Sequence, residues 1–179
     1  VAIVSRRPFL GSIRQGFCGK NDARHIAATV ADGDGEIDIH NFYVPAGGDE
    51  PDPEVNPKFA HKLAFLEEMK TWLGTGHTSR PAIMVGDLNV APMEQDVWSH
   101  RQLLKVVSHT PGETERLNAI LAEGSWIDAI RHFVPADEKL YTWWSYRARD
   151  WQASNRGRRL DHVWVTPPLA PRLHSHEIF

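Results

Sequence analysis

The sequence predicts an α/β domain with mixed β-sheet, and three observations carry that expectation. Strand-like and helical stretches alternate along the chain. Two strand-like stretches are joined by a tight-turn signal, which makes antiparallel neighbours. One apolar run, Pro81–Val85, has no polar alternation and reads as a strand buried on both faces. Together they favour helices layered on a mixed sheet over a doubly wound parallel sheet.

Each element follows in order. Val1–Ser5 reads as a short strand. His25–Ala31 and Glu36–Tyr43 read as two more, separated by Asp32-Gly33-Asp34-Gly35, where glycine accepts the positive φ of a hairpin turn. In the second, Ile37, Ile39 and Asn41 share one face and Asp38, His40 and Phe42 the other. Pro45 to Pro57 is a loop with four prolines and two glycines. Lys58–Leu73 carries Phe59, Leu63, Leu66, Met69 and Leu73 on one helical stripe, and Gly74 and Gly76 stop it. Thr110-Pro111-Gly112-Glu113 has the form of a capping box with proline at the first helical position, opening a helix through Ala122 that Gly124 ends. Leu140–Tyr146 and Leu160–Thr166 read as strands around an arginine-rich loop.

A chain of 179 residues with 41% hydrophobic content suits one domain, 1–179. No stretch is long and apolar enough to predict a membrane span, and no signal peptide is legible. The single cysteine, Cys18, excludes an internal disulfide and points to a reducing, cytoplasmic setting. The formal net charge of −3 argues weakly against a nucleic-acid partner, but its distribution is uneven. Residues 141–161 hold five arginines (Arg147, Arg149, Arg156, Arg158, Arg159) against two acids. Such a stripe is either a solvated face or a phosphate-binding one.

Four stretches bear chemistry. In "GDLNVAP", Asp87 and Asn89 leave the buried strand two residues apart, so extended backbone projects them together. An acid to take a proton and an amide to donate to an oxyanion suit phosphodiester hydrolysis; an Asx turn needs the same residues. In "YTWWSYR", alternation separates Trp143 from Trp144, so either one indole packs in the core and the other stacks on bases or sugars, or both are core. In "NRGRRLDH", Asp161 opens an apolar strand, where burial demands a partner, while His162 faces the other way and reads as structural. In "NFYVPAGG", Tyr43 ends a strand, where it either packs as an ordinary aromatic, the commoner outcome, or offers its hydroxyl to a phosphate oxygen.

These strings, with "PAIMVGDLNVAP", "WIDAIRHF" and "NRGRRLDHVWV", resemble in order and spacing the exonuclease III (abasic endonuclease) family of the endonuclease/exonuclease/phosphatase superfamily, from Val1 to roughly Pro168. The resemblance implies a four-layered α/β sandwich, two packed mixed β-sheets flanked by helices, of which this stretch holds part. It implies a Mg²⁺-dependent DNA-repair nuclease, with Mn²⁺ as the substitute ion. The expected substrate is double-stranded DNA, cut at abasic sites and degraded from 3′ ends. A nucleoid-associated monomer is expected. By the same resemblance Asp87 is similar to the carboxylate that activates water, Asn89 to a phosphate donor, both near the metal, and Tyr43 to a phosphate-contacting tyrosine. Asp161 matches the acid that orients a catalytic histidine. Trp143 and Leu160 fall at the pocket for a flipped abasic sugar, and Trp144, Arg147, Arg156, Arg158 and Arg159 are the expected DNA contacts.

Relatives carry an Asn and a metal-binding Glu on strands upstream of anything matching Val1, and an Asp-His pair beyond anything matching Phe179. His174 and His176 stand in a different context. The expectation is therefore a partial stretch of a longer enzyme, inactive alone. Ala46 stands where relatives often place an amide, and Arg158 where some have an aromatic. Two other readings stay open: a phosphatase of the same superfamily acting on inositol or lipid phosphates, and a non-catalytic DNA-binding module.

Overall fold

The computed structural model describes residues 1–74, 80–145 and 149–178. Its strands are β1 (Phe9–Ile13), β2 (His25–Asp32), β3 (Gly35–Tyr43), β4 (Ala82–Asp87), β5 (Ile127–Asp128), β6 (Trp143–Trp144), β7 (Gly157–Arg158) and β8 (Asp161–Val165). Its helices are α1 (Pro57–Leu73), α2 (His100–Leu103), α3 (Pro111–Glu123) and α4 (Trp151–Ser154).

Six strands form one mixed sheet in the order β1-β2-β3-β4-β8-β5, and β6 pairs with β7 in a separate ribbon. The β2–β3 hairpin closes at Asp32 opposite Gly35, with Gly33 at φ +61° in the turn. Strands β3 and β4 are parallel, which requires the crossover that α1 supplies. Strand β8 returns antiparallel to β4. The mixed α/β class predicted from the alternation is the one observed. Helices α1 and α3 cover one face of the six-stranded sheet.

That covered face holds the main core: Phe42, Met84 and Trp164 from the sheet meet Phe65, Leu66, Met69, Leu73, Leu117 and Ile120 from the helices. The other face carries Ile37 and Val165 with the half-buried Ile39, Ile83, Ile127 and Val163. Helix α1 begins one residue earlier than expected because Asn56 caps it, accepting the Lys58 N–H at 3.0 Å, and Pro57 follows at the first helical position.

Three expectations are corrected. Val1–Ser5 is not a strand; Phe9–Ile13 takes the edge position beside β2, because an apolar run becomes a strand only where a partner's backbone groups are available. The strand over Leu140–Tyr146 shrinks to Trp143–Trp144, since Thr142 spends its hydroxyl on the neighbouring Leu160–Asp161 backbone; Tyr146 lies outside the described residues. The α1 stripe contains fully buried Lys62, while Leu63 is half-buried. Gly76, expected to help end α1, lies outside the described residues; Gly74 occupies the C-cap.

Candidate active site

The carboxyl ends of β3 and β4 and the start of β8 meet at one edge of the sheet. There Tyr43 is paired with Asp87, and Asp87 with Asp161, on a single rung across three strands. Residues on one rung project from the same face, about 5 Å apart at Cα. The two carboxylates are thereby brought together, with Tyr43 on the neighbouring strand, without any loop having to fold over.

The residue before Asp87 makes this approach feasible. A Cβ on Gly86 would lie 2.0 Å from the Phe42 carbonyl oxygen, so only glycine lets β3 and β4 close up here. Beyond Asp87 the chain stops being extended. Asn89 sits at φ +53°, a left-handed conformation that asparagine tolerates. Its N–H donates to Asp87 Oδ1 at 3.0 Å, and its amide Nδ2 donates to the Val44 carbonyl at 3.0 Å. The turn reading and the site reading of "GDLN" therefore hold together. Asp87 and Asn89 reach the same cleft through an Asx turn, not through the two-residue alternation of a strand.

Burial pushes the Asp87 carboxyl up to about 6, and the Asp161 charge across the rung adds to it; the Asn89 N–H and the Lys62 charge oppose the rise. Asp161 is exposed, not buried as its place at the head of an apolar strand suggested. Its Oδ2 accepts from the Thr142 hydroxyl at 2.8 Å, while that hydroxyl accepts both the Leu160 and Asp161 N–H groups at 3.0 Å. Thr142 thus takes the orienting place beside Asp161. His162 is buried as a structural residue, its Nε2 on the Val90 carbonyl at 2.8 Å.

Asp87, Asn89 and Asp161 open into a cleft of about 720 Å³, also lined by Trp98, Ser108, Trp143, Arg156, Arg158 and Leu160. Arg156 stacks over Trp98 at 4.7 Å and Arg158 lies 5.9 Å from the Trp143 ring centre. Arg158 Nη1 donates to the Val107 carbonyl at 3.1 Å and the Ser108 hydroxyl at 2.8 Å. It forms no ion pair among the described residues, so a cation stands in the cleft with only neutral acceptors.

Other expected contacts lie elsewhere. Arg159 is 1% exposed and pairs with Asp96 at 3.0 Å and Asp128 at 2.6 Å, so it is a buried structural charge rather than a DNA contact. Trp144 turns away from the cleft, packs on Tyr141 and Trp151, and donates Nε1 to Asn155 at 3.0 Å. Tyr43 belongs to the rung but lines an adjoining pocket. Arg147 lies outside the described residues.

Sequence reasoning passed over the post behind the site. Lys62 is fully buried, and its Nζ donates to the Asn89 carbonyl at 2.7 Å and the Ala46 carbonyl at 3.3 Å while pairing with Glu113 at 2.5 Å. Glu113 also accepts the Ser108 and Thr110 N–H groups, so the capping box does more than cap. One ion pair thus ties down the loops after β3 and β4 and the Ser108 turn that holds Arg158. The available signal was a lysine on the apolar stripe, at the spacing Phe59, Lys62, Leu66, Met69, Leu73.

Two carboxylates facing one another across a rung form a like-charge pair that a divalent cation relieves. No group of three or more His, Cys, Asp or Glu gathers among the described residues. A hard ion such as Mg²⁺ is commonly held by one or two carboxylates, waters and substrate phosphate, so Asp87 and Asp161, with the Asn89 amide oxygen nearby, fit such an ion.

The arrangement defines a class first: a mixed-sheet α/β domain with an acidic rung at its strand ends, opening on a cleft walled by arginine and tryptophan. Residues 1–178 match the Endonuclease/Exonuclease/phosphatase family, and the chain belongs to that family. It is 28% identical to exodeoxyribonuclease III of Haemophilus influenzae over 170 residues, 89% of this chain and 62% of that protein. It is 30% identical to recombination repair protein 1 of Drosophila melanogaster over 145 residues, 77% of this chain and 19% of that protein. The chain therefore spans less than two thirds of the length of these curated relatives. Among solved structures it is similar to an AP endonuclease from Archaeoglobus fulgidus, with TM-score 0.79 and 29% identity, covering 96% of this chain and 68% of that one. A 3′-5′ exonuclease from Neisseria meningitidis shares the fold, with TM-score 0.80 at 24% identity over 93% of this chain and 62% of that one.

Proposed function

We propose that this chain is the greater part of a divalent-metal-dependent DNA-repair phosphodiesterase of the exodeoxyribonuclease III type. Its substrate is double-stranded DNA, degraded 3′ to 5′ from ends and cut at abasic sites, with Mg²⁺ as the ion and Mn²⁺ as substitute. It works as a monomer on the nucleoid in the cytoplasm. The observation that carries the reading is the rung Tyr43–Asp87–Asp161 at the mouth of a cleft whose walls bear Arg156, Arg158, Trp98 and Trp143.

A divalent ion held by Asp87 and Asp161 would supply charge stabilisation to the phosphate. Asp87, half-buried and fixed by the Asn89 N–H on its Oδ1, takes the proton of the attacking water. Asn89 spends one amide hydrogen on Val44, which fixes the side chain and leaves the other for a phosphoryl oxygen. The Tyr43 hydroxyl is a second donor from the next strand. Arg158 and Arg156 offer planar forks to backbone phosphates, and Trp143, half in solvent, offers a stacking face beside Leu160. A base-free sugar has little stacking to lose on entering such a pocket.

The test uses the full-length protein. Abasic duplex cleavage is measured with Mg²⁺ for wild type and Asp87→Asn. Losing a general base lowers the rate by about 10²–10⁴-fold, and duplex binding persists. Undiminished turnover, or hydrolysis of inositol phosphates with none of DNA, overturns the proposal.

A further inference from the structure

A second cavity, of about 530 Å³, lies on the other side of Tyr43 from the cleft. Its walls are Lys20 and Arg24 from the segment before β2, Tyr43 and the Pro45–Gly48 loop, and Pro57, Lys58 and His61 from the first turns of α1. No acidic residue lines it, in a chain whose formal net charge is −3. Lys20 and Lys58 form no ion pair among the described residues. Arg24 is partly neutralised by Asp22 at 2.7 Å, but its guanidinium lies 5.0 Å over the Tyr43 ring and donates to the Tyr43 carbonyl at 3.2 Å. This arginine is anchored to the strand end that carries the rung.

The two cavities share a rim. Ala46 and Gly48 line both, so the cleft and the basic pocket adjoin across that loop. The loop is packed tightly onto the core behind it: a Cβ on Gly47, at φ +90°, would meet Lys62 and Val107 side-chain carbons at 2.9 and 3.0 Å, and Gly48 is also at positive φ. A concave wall of one sign of charge focuses potential and selects an anion.

We propose that the pocket of Lys20, Arg24, Lys58 and His61 is a second phosphate-binding site, which holds the DNA backbone after it has passed the acidic rung and crossed the Ala46–Gly48 saddle. Its ligand is a phosphodiester group of the bound strand, not the scissile one. This site rests on the DNA reading above and extends it by giving the strand a direction across the sheet edge.

Lys20 and Lys58 are exposed, so their replacement leaves the core untouched. Binding of a duplex to full-length wild type and to Lys20→Gln/Lys58→Gln is measured by fluorescence anisotropy across a salt series, without metal. Each lost phosphate contact lowers the slope of log affinity against log salt by about 1, so the double variant flattens it by about 1–2 and weakens binding by about tenfold or more at low salt. Lys70→Gln, on the last turn of α1 and paired with Glu67 and Glu123, serves as control and leaves the slope unchanged. An unchanged slope in the double variant overturns the site. So does an equal drop in the control, which makes the effect one of net charge. Loss of inorganic-phosphate binding with duplex binding intact also overturns it, because the pocket would then hold a free anion. Failure of wild type to bind duplex at all overturns instead the DNA reading beneath it.

Discussion

Arg158 and Arg159 are neighbours in sequence with opposite fates. Arg159 turns inward, 1% exposed, between Asp96 and Asp128, with Arg131 on the far side of Asp96 at 2.5 Å. Arg158 turns into the cleft and is held by a carbonyl and a hydroxyl alone. The same contrast separates the Lys62–Glu113 pair, sealed behind the site, from the Asp87–Asp161 rung, where two like charges face each other at the surface. Charges that maintain the fold are neutralised by the fold; those at the cleft are left for something else to neutralise. Position relative to the sheet edge decides which is which, and a stripe of arginines in the sequence does not reveal it.

The largest expected effect breaks the inner set. Arg159→Leu leaves Asp128 and part of Asp96 uncompensated and costs about 3–5 kcal/mol, a fall in Tm of about 10 °C or more. Arg158→Leu, one residue away, changes Tm by less than about 3 °C and weakens duplex binding instead. Similar losses of stability from the two variants would erase the distinction. Thermal melts with the anisotropy assay decide.

The second comparison concerns the post behind the site. Lys62→Met strands the Glu113 carboxylate and costs about 3–5 kcal/mol in denaturant unfolding, whereas Lys62→Met/Glu113→Gln recovers much of it, because no charge is left buried and the amide oxygen still accepts from the Ser108 and Thr110 N–H groups. A double variant no better than the single shows that the carbonyls of Ala46 and Asn89, rather than the ion pair, depend on the ammonium.

The smallest effect is a pH dependence at the rung. The Asp87 carboxyl is raised in the folded protein, so its contribution to stability is fully present below its unfolded value near 4 and is lost as pH rises through about 6. In chelator-containing buffer, Asp87→Asn is therefore more stable than wild type at pH 7.5 by about 1–2 kcal/mol, solvent at the half-open site screening the rest, and the difference closes at pH 4. A gap independent of pH would assign it to packing. Screening by salt narrows it, because part of the shift comes from Asp161.

Much of the layout was legible before any coordinates. The β2–β3 hairpin rests on Gly33, the α1 crossover on an apolar stripe, and α3 on its Thr110–Glu113 box. These are local signals: a turn that needs positive φ, a period of 3.6, a cap within three residues. Asp87, Asn89, Asp161, Arg156, Arg158, Trp143 and Leu160, each singled out by its own short string, line one cleft in the structure. Misreadings came wherever a non-local partner decided. Val1–Ser5 has strand composition without a neighbour, and Arg159 has DNA-binding character until Asp96 and Asp128 enclose it. Trp98, Ser108 and Lys62 carry no motif, and their roles depend on what folds against them.

By itself, then, the chain determined α1 and α3, its tight turn, its buried central strand and the run of acid, amide and arginine positions that reach the cleft, because each is written in a few consecutive positions. Only the tertiary structure decided that Tyr43, Asp87 and Asp161 share a rung, that one of two adjacent arginines faces the cleft, and that a buried lysine holds the loops in place. Register between strands and the pairing of charges depend on segments far apart in sequence, and the energy that selects them exists only once those segments have met.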